Sequence, residues 1–313
     1  MRTPLLAALN HERELYFKPE SLQPVGSFKL RGAYNKLAAL PLAARKQGVI
    51  AYSSGNHAQA VAYAARVLGA KAVIVMPAIA PEVKRSGTAA LGAEIVLVGP
   101  GSDERQTRAE ALAAEHGYTI VPPFNDEQII AGQGTIGLEI LEDLPDAGVV
   151  LVPISGGGLI SGIAAAIKLR NPRIKVIGVE PELAADARAS LRSGKRVSLA
   201  AEQTMRTIAD GLRSQSVGEI PFAHISRYVD DIVMVSEDEI REAIRRLLGM
   251  RLVVEPSGAV PYAAFLFRSQ ELPLAGKTIA VISGGNIDPA LLREILASTE
   301  ASDVSVESEA LRR

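Results

Sequence analysis

The most constraining feature of this sequence is a series of short, uninterrupted apolar runs that alternate with longer helix-like stretches. The runs are rich in β-branched residues and show no alternation of apolar and polar positions, which is typical of strands buried on both faces of a parallel sheet. The predicted strands are Gly48–Ser53, Ala72–Met76, Glu94–Val98, Val149–Ile154, Lys175–Val179 and Thr278–Ile282. The pattern therefore predicts an α/β fold with open parallel sheets covered by helices.

The stretches between the strands are rich in Ala, Leu and Glu and predict the crossover helices. They are His57–Leu68, Arg105–His116, Glu127–Leu141 and Leu159–Arg170. Several strand–helix units follow one another quickly between Gly48 and Pro122, which predicts a small domain over residues 46–122. Residues 1–45 and 123–313 then form a discontinuous large domain, and the polar end Ala301–Arg313 predicts a frayed terminus.

The composition excludes several classes of protein. The 34 basic residues nearly balance the 35 acidic ones, and a net charge of −1 does not indicate a nucleic-acid or anionic-membrane partner. The absence of cysteine excludes disulfides, thiolate metal sites and a thiol nucleophile. Each apolar run is interrupted well before the ~20 residues that a membrane span needs, and Met1–Leu6 lacks the apolar core of a signal peptide. We expect a cytoplasmic protein.

Small polar residues follow several of the predicted strands. The loops are Ser53–His57, Ser155–Gly158 and Ser283–Asn286. In open α/β sheets, ligands bind beyond the carboxyl ends of the strands, where glycine permits close approach and Ser and Asn supply short hydrogen-bonding groups. Each loop alone is compatible with a simple tight turn, but together they predict one shared ligand site.

The glycine run Gly156–Gly158 lies between a predicted strand and a predicted helix, where backbone N–H groups and the helix dipole favour an anion such as phosphate. Two interpretations are open. Gly156 and Gly158 with Glu180 at the end of the next strand suggest a dinucleotide site, although Ser161 occupies the third glycine position of that motif. A single phosphate monoester fits equally well.

Four motifs together resemble those of a known family. They are Ser27-Phe28-Lys29-Leu30-Arg31-Gly32-Ala33, Ser53-Ser54-Gly55-Asn56-His57-Ala58-Gln59-Ala60, Gly156-Gly157-Gly158-Leu159 and Ser283-Gly284-Gly285-Asn286. In this order and spacing they are similar to fold-type II pyridoxal phosphate enzymes, the tryptophan synthase β-like fold, and most of all to threonine/serine dehydratases and serine racemases. Ala131–Thr135 and Glu255–Gly258 also resemble family signatures. The resemblance implies two open parallel-sheet domains with pyridoxal phosphate between them.

The resemblance also implies residue roles. The implied cofactor-binding residues are Phe28, Lys29, Asn56, Gly156, Gly157, Gly158, Leu159 and Ser283. Lys29 would bind the cofactor covalently and then move the α-proton of the substrate. Asn56 would donate to the ring oxygen, and the Gly156–Leu159 amides would bind the phosphate. Ser283 would meet the ring nitrogen without protonating it, which suits β-elimination.

The second motif is the implied substrate-binding loop. Its residues are Ser53, Ser54, Gly55, Asn56 and His57. Their N–H groups, at the start of a helix, would bind the substrate carboxylate. Ser54 matches the residue that exchanges a proton on the second face of the substrate in racemases, so it is a candidate catalytic residue beside Lys29. The alternative roles of Ser54 are carboxylate binding and helix capping.

A divalent cation is also implied. In serine racemase-like members, the spacing of Glu180, Ala184 and Asp186 supplies two carboxylates and one carbonyl to a metal ion. Such hard oxygen ligands suit Mg²⁺ or Ca²⁺. The alternative is a pair of solvated acids.

The sequence therefore predicts pyridoxal phosphate-dependent dehydration of L-threonine and L-serine, with 2-oxobutanoate or pyruvate and ammonia as products. The alternatives are a serine racemase, with or without the dehydratase activity, and a threo-3-hydroxyaspartate ammonia-lyase. An NAD-dependent oxidoreductase and a non-catalytic ligand-binding protein are more distant. The expected partner is a small hydroxy amino acid, and the family resemblance implies a homodimer.

Overall fold

The computed structural model describes residues 1–297 apart from 10, 54, 81, 100 and 101; the side chains of residues 83, 102 and 103 are also outside the description. The predicted frayed end, Ala301–Arg313, lies beyond the described residues. Among the helices that are described, none has the length and apolarity needed to cross a membrane.

The larger sheet has six strands. They are β1 (Leu6–Ala8), β2 (Leu15–Pro19), β7 (Ala147–Pro153), β8 (Lys175–Pro181), β9 (Asp231–Val235) and β10 (Lys277–Ile282). Their order across the sheet is β1-β2-β10-β7-β8-β9. Only the pairing of β1 with β2 is antiparallel within this sheet. In the centre, Ala280 of β10 lies between Phe17 of β2 and Leu151 of β7.

The smaller sheet has four parallel strands. They are β3 (Val49–Tyr52), β4 (Ala72–Pro77), β5 (Glu94–Val98) and β6 (Thr119–Ile120). Their order is β5-β4-β3-β6. All four fall within the 46–122 segment that the sequence marks as a small domain.

Helices cover both sheets. They are α1 (Lys29–Ala39), α2 (Leu42–Gln47), α3 (Asn56–Leu68), α4 (Glu82–Ala90), α5 (Ser102–His116), α6 (Glu127–Asp143), α7 (Gly158–Lys168), α8 (Asp186–Ser193), α9 (Ala201–Thr204), α10 (Glu219–Tyr228), α11 (Glu237–Gly249) and α12 (Pro256–Phe267), and residues 289–297 are also helical. Capping side chains determine where two of these helices begin. Asp126 caps α6 through the N–H groups of Gln128 and Ile129, and Ser236 with Glu239 forms a capping box at α11.

The two faces of the larger sheet bury separate parts of the core. Val149 and Leu151 of β7 pack on one face with Tyr262 of α12, while Val150 and Val152 pack on the other with residues of α7. Because successive side chains of a strand point to opposite faces, a strand buried on both sides needs apolar residues at every position. The uninterrupted apolar runs have this cause, and the predicted α/β fold with parallel sheets is confirmed.

Strands β1, β2, β6 and β9 were not predicted. Strand β2 contains Lys18, whose side chain is completely buried and donates to the Thr3 carbonyl at 2.6 Å while pairing with Glu139 at 2.7 Å. A buried lysine breaks the apolar pattern from which strands are predicted. Strand β6 is only two residues long.

The core of the smaller sheet extends beyond residues 46–122. Leu30 and Leu37 of α1 belong to the same cluster as Val49 of β3. Helix α1 therefore packs on the smaller sheet, although the predicted division places it in the large domain. The division into 1–45 with 123–313 and 46–122 stays a prediction.

Candidate active site

Lys29 is the first residue of α1, and its surroundings hold the side chain in one place. The N–H of the preceding residue, Phe28, donates to the Ser283 carbonyl at 3.0 Å. The Lys29 Nζ donates to the Pro123 carbonyl at 2.7 Å. Burial lowers the pKa of Lys29 to about 8, against the opposing effect of the Glu255 charge. An amine with such a pKa is neutral in an appreciable fraction of molecules near neutral pH, as a base or nucleophile requires.

The glycine loop follows β7 and opens α7. Gly157 caps the helix with φ +89°, in the left-handed region that favours glycine. Because Gly157 has no side chain, it provides no capping hydrogen bond to the first turn of the helix, whose N–H groups are suited to an anion. Ser155, at the start of the loop, shares a hydrogen bond of 2.8 Å with the hydroxyl of Ser214.

Phe124 connects the glycine loop to the lysine. A Cβ placed on Gly156 would lie 2.2 Å from the Phe124 ring, and one on Gly158 would lie 3.0 Å from its Cα. The adjacent residue, Pro123, is the acceptor for Lys29. The lysine and the glycine loop are therefore brought together by the 123–124 segment.

Asn56 begins α3 and lies in a network of amide and carboxylate groups. Its Nδ2 donates to Glu255 Oε1 at 2.7 Å, and its Oδ1 accepts from Asn286 Nδ2 at 2.7 Å. Asn286 belongs to the loop after β10, and Asn56 directly follows the loop that connects β3 to α3. Loops from the two sheets therefore meet at this point.

Ser283 is buried directly after β10. Its carbonyl receives the Phe28 N–H, and its hydroxyl lies 3.5 Å from the Ser257 carbonyl. A hydrogen bond of that length is weak, so the hydroxyl is readily available to another partner. Ser27 and Gly284 form an isolated β-bridge beside it.

The substrate-binding loop implied by the resemblance is partly described. Ser54, the candidate second catalytic residue, lies outside the described residues. The Ser53 hydroxyl accepts from the Gly55 N–H at 3.3 Å, and the position of a Cβ on Gly55 is open. The His57 side chain is buried and its Nε2 lies 2.8 Å from the Val121 carbonyl. Burial, with the Lys29 charge, lowers the pKa of His57 to about 3, so the ring is neutral and its Nε2 carries the proton that it donates.

Glu180 and Asp186 are both buried, so the interpretation as solvated acids is wrong. The Glu180 oxygens accept from the N–H groups of Ala187 and Arg188 at 2.9 and 2.8 Å. Oδ2 of Asp186 has no hydrogen-bond partner in the described structure. Burial raises the pKa of both carboxyls, that of Asp186 to about 7.

Ala184 is also buried, in the short helical turn before α8. Within the described part of the chain, no group of three or more His, Cys, Asp or Glu side chains is placed to hold a metal ion.

Glu255 and Phe124 were missed as site residues. Glu255 opens a run that resembles a family signature but has no implied role, and Phe124 belongs to none of the motifs. Local sequence gives neither residue a role in the site, because both enter it through contacts between distant segments. An ion pair between Lys84 of α4 and Asp210, at 3.0 Å, was also missed.

The four motifs thus converge at the carboxyl ends of β3, β7 and β10. A lysine amine of lowered pKa, a helix-opening glycine loop and a buried serine hydroxyl surround one region between the two sheets. This arrangement defines a class of α/β enzymes that hold a phosphorylated cofactor through a lysine.

Comparison with known proteins gives the family. Residues 1–284 match the family model described as pyridoxal-phosphate dependent enzyme, and the chain belongs to that family. It is 49% identical to an L-threonine ammonia-lyase of Thermotoga maritima over 90% of this chain and 70% of the relative. It is 43% identical to an L-threo-3-hydroxyaspartate ammonia-lyase of Saccharomyces cerevisiae over 92% of this chain and 88% of the relative.

The solved structure of maize serine racemase is similar too, with a TM-score of 0.90 and 35% identity, covering 97% of this chain and 94% of that one. The predicted family and the fold-type II class are therefore confirmed. The prediction of a pyridoxal phosphate-dependent enzyme is confirmed too.

Proposed function

We propose that this chain is an ammonia-lyase that converts L-threonine and L-serine to 2-oxobutanoate or pyruvate and ammonia. The observation that carries the proposal is the Lys29 amine, which has a lowered pKa and is held through the 123–124 segment beside the glycine loop. Net loss of ammonia balances the reaction, because the water eliminated from the substrate is taken up again when the product is hydrolysed.

The residues of the site fit pyridoxal phosphate. The uncapped start of α7 would hold the phosphate through its N–H groups, and the spare N–H of Asn56 would donate to the ring oxygen. When bound, the cofactor supplies an electron-withdrawing ring that acidifies the α-carbon of an attached amino acid. Lys29 Nζ would remove the α-proton and hold it, and Gly55 and its neighbours would orient the substrate carboxylate.

Ser283 supports elimination over reactions that need a long-lived carbanion. Its hydroxyl is a neutral partner, whereas a carboxylate would keep a ring nitrogen protonated. With the weaker electron withdrawal, departure of the β-hydroxyl soon after proton removal is favoured. This is consistent with dehydration of β-hydroxy amino acids.

Serine racemase activity is the second candidate, favoured by the similarity to the maize racemase structure. Ser54 would carry the second proton. Dehydration of threo-3-hydroxyaspartate is the third, favoured by the relative from Saccharomyces cerevisiae. L-Serine and L-threonine differ by one methyl group on the β-carbon, which changes specificity by only ~1–3 kcal/mol.

The test is reconstitution with pyridoxal phosphate, followed by chiral analysis of the products from L-serine, L-threonine and L-threo-3-hydroxyaspartate. We expect a visible absorption band, borohydride fixation of the cofactor on the Lys29 peptide, and 2-oxo acid from threonine. Lys29→Ala should lose the oxo acid and keep its fold, whereas Lys46→Ala, an exposed lysine, should behave like the parent. A colourless, inactive protein after cofactor addition contradicts the proposal.

A divalent cation belongs to the same proposal. Glu180, the Ala184 carbonyl and Asp186 would hold Mg²⁺ or Ca²⁺, and the unpartnered Oδ2 of Asp186 fits a metal ligand. We expect either ion to raise the Tm and a chelator to reverse the rise. Asp186→Asn should remove the dependence, and Asp146→Asn, a carboxylate exposed on the surface, should keep it. Equal Tm values for the parent with metal and with chelator rule out the site.

The homodimer, the cytoplasmic location and the division into domains 1–45 with 123–313 and 46–122 are parts of the same proposal. Sedimentation of the purified protein tests the homodimer.

A further inference from the structure

A chain of hydrogen bonds determines which way the Asn56 amide faces. Asn286 Nδ2 donates to the Asn56 Oδ1 at 2.7 Å and to the Val25 carbonyl at 2.9 Å. Both of its hydrogens are therefore used, and Asn56 must present its oxygen to Asn286. The NH₂ of Asn56 then faces the carboxylate of Glu255, to which it donates at 2.7 Å. One hydrogen of that NH₂ is left for a ligand.

Glu255 is fitted closely against the loop after β10. Its side chain is only 5% exposed, and its N–H donates to the Gly284 carbonyl at 3.1 Å. A Cβ on Gly284 would lie 2.2 Å from Glu255 Oε1. The carboxylate can occupy this place only because residue 284 is glycine.

A buried carboxylate costs free energy unless it is paired or well hydrogen-bonded. Glu255 accepts from the side-chain amide of Asn56 and from the backbone N–H of Asn286. The charged groups of Lys29, Lys84 and Asp210 lie near it. Its direct side-chain hydrogen bond goes to the residue that would contact the ring of the cofactor.

We propose that Glu255 is a positioning residue of the cofactor site, which acts by holding the Asn56 amide with one N–H directed to the cofactor ring oxygen. The inference rests on the proposed function, in which Asn56 binds pyridoxal phosphate. Glu255 itself need not contact the cofactor. Its effect should therefore disappear when Asn56 is removed.

A double-mutant cycle tests this dependence. The measured quantity is the Kd of pyridoxal phosphate for the cofactor-free protein, followed by visible absorbance, with Tm recorded for each variant. Loss of one such hydrogen bond corresponds to a weakening of ~10-fold. We expect this for Glu255→Ala and for Asn56→Ala, and about the same ~10-fold for the double variant.

Three further variants separate the effect of the hydrogen bond from an effect on the fold. Glu255→Gln keeps an acceptor oxygen and should restore most of the affinity. Gly284→Ala displaces the carboxylate without removing it and should resemble Glu255→Ala, so it serves if that variant fails to fold. Glu239→Ala removes the capping box of α11 and should lower the Tm without changing the Kd.

A weakening of ~100-fold in the double variant would show independent effects and overturn the inference, as would an unchanged Kd in both Glu255→Ala and Gly284→Ala. Equal losses in the Gln and Ala variants would also overturn it, since the acceptor oxygen would then be irrelevant. If the parent protein takes up no cofactor at all, the proposed function fails as well; if it does and the cycle is additive, only the inference fails.

Discussion

At the residue scale, Lys29 shows how burial prepares an amine for chemistry. Its pKa of about 8 in the folded protein lies below the ordinary 10.5. Between these values the unfolded chain binds more protons, so the contribution of Lys29 to stability rises with pH through that window. We expect trace labelling with an amine reagent to modify Lys29 of the cofactor-free protein with a half-maximal rate near pH 8. Peptide mapping measures the modification of Lys29 at each pH, and a midpoint near pH 10.5 contradicts the lowered pKa.

Gly157 is the second residue-scale case. Its φ of +89° excludes most side chains, and a Cβ would also lie 2.7 Å from Pro221. Gly157→Ala should lower stability by more than the ~1–2 kcal/mol of the backbone strain and weaken pyridoxal phosphate binding. The matched control is Gly69→Ala, with φ +65° and open space around the Cβ. It should lose stability only; equal Kd values for both variants would show that the loop does not bind the phosphate.

At the element scale, Arg31 fixes the first turn of α1 and therefore Lys29. Its guanidinium bonds Glu20 at 2.7 Å and Glu139 of α6 at 2.6 Å, and Glu20 is fully buried. Removing one partner of a buried pair destabilises by ~3–5 kcal/mol. Arg31→Met should therefore lower the Tm strongly and weaken cofactor binding.

Arg246→Met is the control for this prediction. It removes an exposed pair with Glu242 worth ~1 kcal/mol or less. Equal changes in Tm for the two variants, measured by thermal denaturation, would show that the Arg31 cluster is not needed to hold α1.

The elements also show what the sequence can and cannot predict. The strands that lead into Ser53, Ser155 and Ser283 are apolar without interruption, so both the strands and the loops at their ends were predictable. The role of Glu255 was not predictable, because its placement depends on the loop at Gly284. Strand β2 was not predictable either, because Lys18 interrupts its apolar pattern. The Ala131–Thr135 signature gains a physical reason only from packing: a Cβ on Gly132 would lie 2.5 Å from the Arg31 carbonyl, so α6 and α1 can approach only without it.

At the scale of the whole molecule, the candidate site joins the two sheets. Asn56 follows β3 of the smaller sheet and Lys29 lies on a helix packed against it, whereas the glycine loop and Ser283 follow strands of the larger sheet. A cofactor that contacts residues from both sheets binds the folded chain and not the unfolded one. Binding therefore adds to stability by mass action.

We expect the Tm of the cofactor-free protein to rise with the logarithm of pyridoxal phosphate concentration, with a gain of ~2.7 kcal/mol at a hundred times Kd. Pyridoxal, which has no phosphate, should stabilise much less because it leaves the N–H groups at the start of α7 without an anion. Lys29→Ala should reduce the rise but retain part of it, since the phosphate contacts remain. Thermal denaturation across a concentration series measures all three, and equal stabilisation by the two compounds would mean that the glycine loop contributes no phosphate binding.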